Sequence, residues 1–235
     1  MKEISQPKYR AAQIFKWLQS GTVSFDEMSN LSKDLRNKLN EKCYIADVEI
    51  VRRLESQIDG TVKYLFRLYD GECIESVLMK YNHGYTVCIS TQVGCRMGCK
   101  FCASGIGGLI RNLTASEMLS QIMAAERDNN IRVSNIVMMG MGEPFDNFDN
   151  SVRFLKLVSD EKGMNIGLRH ISLSTSGVVD GIYKLAELKL PITLSISLHA
   201  PTDEIRSRTM PVNNKWNIET LIKACKEYQK ATTRR

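Results

Sequence analysis

Three of the chain's seven cysteines fall within eight positions, in the run Cys95-Arg-Met-Gly-Cys99-Lys-Phe-Cys102. A fourth, Cys88, lies seven residues upstream, and a glycine-rich run from Gly105 to Gly108 follows. Soft thiolate ligands select zinc or iron–sulfur clusters over hard cations. A structural zinc site takes four ligands, usually as two separated pairs, and no second CxxC or HxxxH pair follows. A cubane cluster usually takes four cysteines. Three at CxxxCxxC would leave one iron without a protein ligand, and an open metal position is where chemistry happens. The spacing argues for a catalytic cluster; a zinc knuckle is the simpler alternative.

Other residues could serve such a centre. Gly140-Met-Gly142-Glu143-Pro144 combines glycines, which let backbone approach a ligand, with a carboxylate for a cationic group. Taken alone it is also an ordinary turn. Further on, Ser172 and Ser174, then Thr193, Ser195, Ser197 and His199, alternate with Ile171, Leu173, Leu194, Ile196 and Leu198. A filled parallel barrel carries bulky aliphatics inside. Period-two alternation instead predicts strands with one polar side, and so a lumen with room for a ligand.

The elements that must position these residues are legible in order. Apolar Ala11, Ile14, Phe15 and Leu18 recur at helical spacing, and Leu31, Leu35 and Leu39 mark a second helix over 32–42. Asp59-Gly60 and Asp70-Gly71 are hairpin signals that predict a small antiparallel meander over 46–84, with Glu75 on its third strand. From residue 85 onward, strands alternate with helices; Thr114 and Glu117 form a capping box at the head of one of them. The alternation predicts right-handed βαβ units around a parallel sheet, four of them within the chain. In parallel barrels, ligands bind at the C-terminal ends of the strands, where the cysteine loop, Glu143 and His199 would all fall.

Composition is that of an ordinary soluble globular protein, with 43% hydrophobic and 25% charged residues. The net charge of +6, from 32 basic and 26 acidic side chains, permits a polyanionic partner without requiring one. No stretch approaches 18 uninterrupted apolar residues and no apolar leader opens the chain, so a cytoplasmic protein without membrane association is expected. An odd number of cysteines fits a reducing compartment.

CxxxCxxC with an aromatic, Phe101, before the last cysteine resembles the signature of radical S-adenosylmethionine (SAM) enzymes. The wider string from Cys88-Ile-Ser-Thr-Gln-Val-Gly-Cys95 through Asn112-Leu113-Thr114, with Met139-Gly-Met-Gly-Glu-Pro144, resembles the RlmN/Cfr group of RNA methyltransferases. The resemblance implies an α/β fold: a partial (β/α) radical SAM barrel with about four of six βα units, and a small N-terminal accessory domain that is helical plus an antiparallel meander. It implies a division into an RNA-contacting helical region at 1–45, the small sheet at 46–84 and the barrel at 85–235. Cys95, Cys99 and Cys102 would hold a [4Fe-4S] cluster whose free iron binds SAM. Gly142, Glu143, Ser174, Ser197, Leu198 and His199 would line the SAM site, and Glu75 would be the proton acceptor.

In that family SAM first methylates a cysteine near the C-terminus, and a second SAM is cleaved reductively to a radical that activates the methyl group. The methyl is passed to C2 of an adenine in 23S rRNA or tRNA, and a second cysteine, matching Cys88, resolves the adduct through a disulfide. An external electron donor such as flavodoxin or ferredoxin is implied, and a monomer is expected. Only Cys225 follows Cys102, and nothing near it resembles the methyl-carrying motif. The chain is therefore expected to be a fragment that binds cluster and SAM without methylating RNA. Two alternatives stand beside this reading: Cfr-type methylation at adenine C8, and a non-catalytic cluster- and RNA-binding module.

Overall fold

The structure, a computed structural model, describes residues 6–233; residues 1–5 of the expected helical region and Arg234-Arg235 of the expected barrel lie outside it. Two helices open the described chain. They are α1 (Tyr9–Gln19) and α2 (Lys33–Lys42), the latter capped by the Ser32 hydroxyl, which accepts the Leu35 N–H. Leu31, Leu35 and Leu39 meet Ile14, Phe25 and Met28 in a small core separate from the main one.

Three antiparallel strands follow: β1 (Glu49–Glu55), β2 (Val62–Arg67) and β3 (Cys73–Tyr81). Asp59 and Asp70 each accept the N–H two residues on, at 3.0 and 3.2 Å, which fixes the two turns. The fourth strand, β4 (Gly84–Cys88), pairs back on β3. The chain then leaves the sheet to form a hairpin of β5 (Gln92–Gly94) and β6 (Leu109–Asn112). Helix α3 (Ala115–Asn129), which follows β4, and three further βα segments complete the fold: β7 (Val133–Met138) with α4 (Phe148–Val158), β8 (Ile171–Thr175) with α5 (Val179–Glu187), and β9 (Thr193–Ile196) with a short α6 (Asp203–Thr209) and α7 (Ile218–Thr232).

The sheet order is β1-β2-β3-β4-β7-β8-β9, with β4, β7, β8 and β9 parallel. The meander expected as a separate small sheet at 46–84 is thus the antiparallel half of one seven-stranded mixed sheet. The reason is β4, whose two edges serve both halves, and whose Val87 belongs to the same buried core as Tyr64, Phe66 and Ile136. The capping box at Thr114 is formed as expected. Two elements went unanticipated, the β5–β6 hairpin and α6. Strand β9 also ends at Ile196 and not at His199, because His199 takes a positive φ of 55° that no strand continues.

One face of the sheet buries Ile74, Leu78, Val87, Ile136, Met138, Ile171 and Leu173 against the core that includes α3, α4 and α5. The opposite face carries the alternate residues. In the parallel half these include Thr86, Cys88, Asn135, Ser172, Ser174 and Ser195, and Ser172 and Ser195 join their hydroxyls across the strands at 2.8 Å. The polar side read from the period-two pattern is present on β8 and β9, with Val137 of β7 beside it on the same face. No helix among the described residues is long and apolar enough to cross a membrane.

Candidate metal centre

The cysteine loop runs from Cys95 to Gly108 across the open end of the β5–β6 hairpin, and the Cys95 N–H closes it on the Gly108 carbonyl at 2.9 Å. Gly94 at the hairpin mouth has φ +73°, and a Cβ there would lie 2.0 Å from the Gly108 oxygen; only glycine lets the two chains come this close.

Buried amides staple the hairpin to the frame where it leaves the sheet. The Gln121 side chain of α3 satisfies both backbone groups of Ser90, accepting its N–H at 2.8 Å and donating to its carbonyl at 3.0 Å, and also accepts the Ser76 hydroxyl at 2.6 Å. Asn147 donates to the carbonyls of Thr91 (2.8 Å) and Leu113 (2.7 Å), one on each leg of the hairpin. Gln92 donates to Asn112 and Asp146 and accepts the Glu143 N–H at 2.8 Å. Backbone that has left a sheet must find such partners, and here side-chain amides replace a neighbouring strand.

The three thiols sit within electrostatic reach of one another. Burial pushes the Cys95 and Cys99 thiols up, and the other sulfurs of the loop and the Glu143 carboxylate push in the same direction. The far side of the loop touches the fourth parallel strand's exit. The Lys100 N–H donates to the Thr209 carbonyl at 2.9 Å, and the Phe101 ring meets His199 edge-on with centroids 4.7 Å apart.

Glu143 follows β7 in a turn that requires glycine at its preceding position: Gly142 has φ +104°, and a Cβ there would lie 2.6 Å from the Gln92 Cβ. The Glu143 carboxylate is buried and accepts N–H groups from Ser176 (2.7 Å) and Phe145 (3.2 Å), so it ties the end of β7 to the end of β8. Burial raises its pKa and these donors oppose the rise. The Ser176 hydroxyl adds to that opposition yet makes no well-formed hydrogen bond of its own; with Thr91 Oγ1 it is a buried oxygen without a partner among the described residues. Ser174 faces Ser197 at 3.5 Å, and Leu198 is partly exposed.

Comparison with known proteins places this arrangement. The Radical SAM superfamily model matches residues 89–234, and the model of the ribosomal RNA large subunit methyltransferase N-terminal domain matches residues 1–45. Two relatives, each called "Probable dual-specificity RNA methyltransferase RlmN", are 55% identical (Alkaliphilus oremlandii) and 52% identical (Clostridium novyi). Their alignments cover 100% of this chain and 68% and 69% of the relatives. The chain belongs to the RlmN family of radical SAM proteins. A crystal structure of a radical SAM methyltransferase from Sphaerobacter thermophilus superposes with a TM-score of 0.93 at 45% identity, covering 100% of this chain and 70% of that one. The α/β radical SAM fold expected from the sequence is thereby established.

An RlmN-family protein implies a [4Fe-4S] cluster and SAM, and the donor set fits them. Cys95, Cys99 and Cys102 supply three soft thiolates from one loop, and a cluster gives each thiolate an iron of its own. The two unpartnered buried hydroxyls flank the same strand ends.

Of the remaining sequence-predicted residues, Cys88 lies on the open face at the end of β4, opposite Val77 of β3, with its thiol pushed up by burial. Glu75 is two residues along β3 on the same face and pairs with Lys63 at 2.8 Å, both side chains about half exposed. Such a diagonal spans roughly 7–8 Å between antiparallel strands. Sequence reasoning missed Arg206, which is fully buried beneath the exits of β8 and β9. Its helix reads as Asp-Glu-Ile-Arg-Ser-Arg, in which Ile205 is the natural inward candidate and Arg206 resembles the exposed Arg208. Only the four-residue spacing Thr202, Arg206, Met210, from N-cap to buried methionine, carries a signal.

Proposed function

We propose that this chain carries the cluster- and SAM-binding part of an RNA methyltransferase that modifies C2 of an adenine in 23S rRNA and in tRNA. The observation that carries the reading is the three-cysteine loop set at the exits of the parallel strands, whose open face carries serine hydroxyls and Cys88, with Glu75 on the neighbouring antiparallel strand. Cys95, Cys99 and Cys102 hold the [4Fe-4S] cluster, which supplies reductive cleavage of SAM when bound. Gly142 lets backbone approach the ligand, and the carboxylate of Glu143 faces its cationic amine. Ser174, Ser197, Leu198 and His199 line the rest of the SAM site.

Glu75 accepts the proton lost from the adenine carbon, and Lys63 beside it keeps a counter-charge on the carboxylate while it is ionised. Cys88 must reach its thiolate form to close a disulfide, and its burial means that a base or a change of surroundings has to take its proton first. An electron donor such as flavodoxin or ferredoxin reduces the cluster, and the protein works as a cytoplasmic monomer. The name of the relatives, dual-specificity RNA methyltransferase, supports an RNA substrate.

The test is an anaerobic assay of the reconstituted chain with SAM and a reductant. The reading expects 5′-deoxyadenosine to accumulate, and Cys88→Ala to leave that cleavage in place. Mass spectrometry of nucleosides from RNA treated with this chain is expected to show neither the C2 nor the C8 product. Absence of any SAM cleavage by a cluster-loaded chain would reject the reading.

A further inference from the structure

Arg206 is a buried cation without an ionic partner. Its side chain is fully excluded from solvent, and its contacts are the carbonyls of Ser176 (2.5 Å), Leu198 (3.2 Å) and Ser197 (3.4 Å) and the Asn213 side-chain oxygen (2.8 Å). Among the described residues no carboxylate lies within ion-pair distance of it. Burying an unpaired charge is expensive, and neutral acceptors offset only part of that cost. A purely structural clamp on three carbonyls would not require a full charge there. The Asp203 carboxylate favours its charge only from beyond ion-pair distance, behind Asn213, so no anion contacts the guanidinium directly.

The geometry indicates where an anion would meet it. Arg206 sits on α6, and α6 is tied to the cysteine loop by the Lys100 N–H on the Thr209 carbonyl. Thr209 is three residues beyond Arg206 on the same short helix, so this bond places the guanidinium's helix directly against the loop. Its other contacts are the exits of β8 and β9. Ser176 links two buried charges through its backbone, giving its N–H to Glu143 and its carbonyl to Arg206. The carbonyls of Ser197 and Leu198 precede His199, whose positive φ turns the chain toward Phe101 of the loop.

We propose that Arg206 is a positioning residue with two separable effects: its charge stabilises the reduced, more negative cluster, and its planar fork holds Ser197-Leu198-His199 in place for SAM. The inference rests on the reading of this site as a cluster and SAM site. A buried positive charge near a cluster favours the added electron, so it raises the reduction potential. A lysine keeps the charge but cannot span the carbonyls that the guanidinium bridges.

The experiment compares wild type, Arg206→Gln and Arg206→Lys after anaerobic reconstitution. Iron and sulfide are counted, folding is checked by circular dichroism, the midpoint potential is read by EPR-monitored titration, and SAM affinity is measured by equilibrium binding. The glutamine variant is expected to shift the potential to more negative values. The lysine variant is expected to keep the wild-type potential while binding SAM about tenfold more weakly, the loss of one or two hydrogen bonds. A wild type that takes up no cluster rejects the underlying site reading. A cluster-loaded glutamine variant with unchanged potential, or a lysine variant shifted as far as glutamine, overturns the charge role. If the glutamine variant does not fold, the lysine variant decides alone: unchanged potential with weakened SAM supports the inference, and any other result overturns it.

Discussion

On the open face of the antiparallel half of the sheet, charges answer charges: Glu49 pairs with Arg67 at 2.6 Å and Lys63 with Glu75 at 2.8 Å, all of them well exposed. On the same face of the parallel half there are no charges on the strands, but hydroxyls, an amide, Val137 and Cys88, with serines joined in pairs across the strands. Strands β2 and β8, one from each half, alternate by the same period-two rule and bury the same kind of residue on the other side. The difference lies in what each polar face is left to satisfy. The charged half is complete with water and its own partners. The hydroxyl half is sheltered, uncharged and opens at the strand ends onto three thiols, an arrangement that suits a small polar ligand. Glu75 stands at the seam, a charge of the first kind beside a thiol of the second.

Breaking the parallel half at its ligand end has the largest expected effect. Cys99→Ala should reduce iron incorporation to background while leaving helix content intact, measured by iron analysis and circular dichroism. Next comes the staple that lets the hairpin leave the sheet. Gln121→Leu strands the N–H and carbonyl of Ser90 and the Ser76 hydroxyl, and should cost about 3 kcal/mol or more in denaturant unfolding.

Smaller changes sharpen the contrast between the faces. Ser174→Val should weaken SAM binding about five- to tenfold, as the loss of one hydrogen bond would, with little change in stability. Lys63→Met, across the seam, should change stability by less than about 0.5 kcal/mol because its ion pair is half exposed. The smallest effect concerns pH. Tyr64, between β2 and α3, donates to Asp128 at 2.7 Å, and burial with that carboxylate pushes its phenol up to about 12. A raised pKa stabilises the protein fully below the unfolded value near 10, and this contribution is lost as pH rises through about 12. A phenolate absorbance titration of wild type minus Tyr64→Phe should show that late midpoint; a difference curve centred near 10 would contradict it.

Much of this was legible in the sequence. The Asp-Gly turns, the Thr114 capping box and the serine–aliphatic alternation of β8 each rest on local rules, and each appears as read. What was hidden depends on long-range partners. Nothing local says that β4 continues the meander into the parallel sheet, because a strand's second edge is not encoded in its own pattern. Gln121 and Asn147 read as ordinary helix and loop residues until their backbone partners on the hairpin are known. Arg206 is the extreme case: periodicity favours Ile205 as the inward residue, yet Ile205 is 45% exposed and Arg206 is 0% exposed. A charge is inside there because the strand exits supply its acceptors.

The central claim is that the hydroxyl half of the sheet and its cysteine loop hold one iron–sulfur cluster open to SAM. The most direct measurement is EPR of the anaerobically reconstituted, reduced chain with and without SAM, alongside iron and sulfide analysis. The account predicts about four irons and four sulfides per chain and a spectrum that changes when SAM is added. A chain that instead binds one zinc, or a cluster whose spectrum ignores SAM, would contradict it.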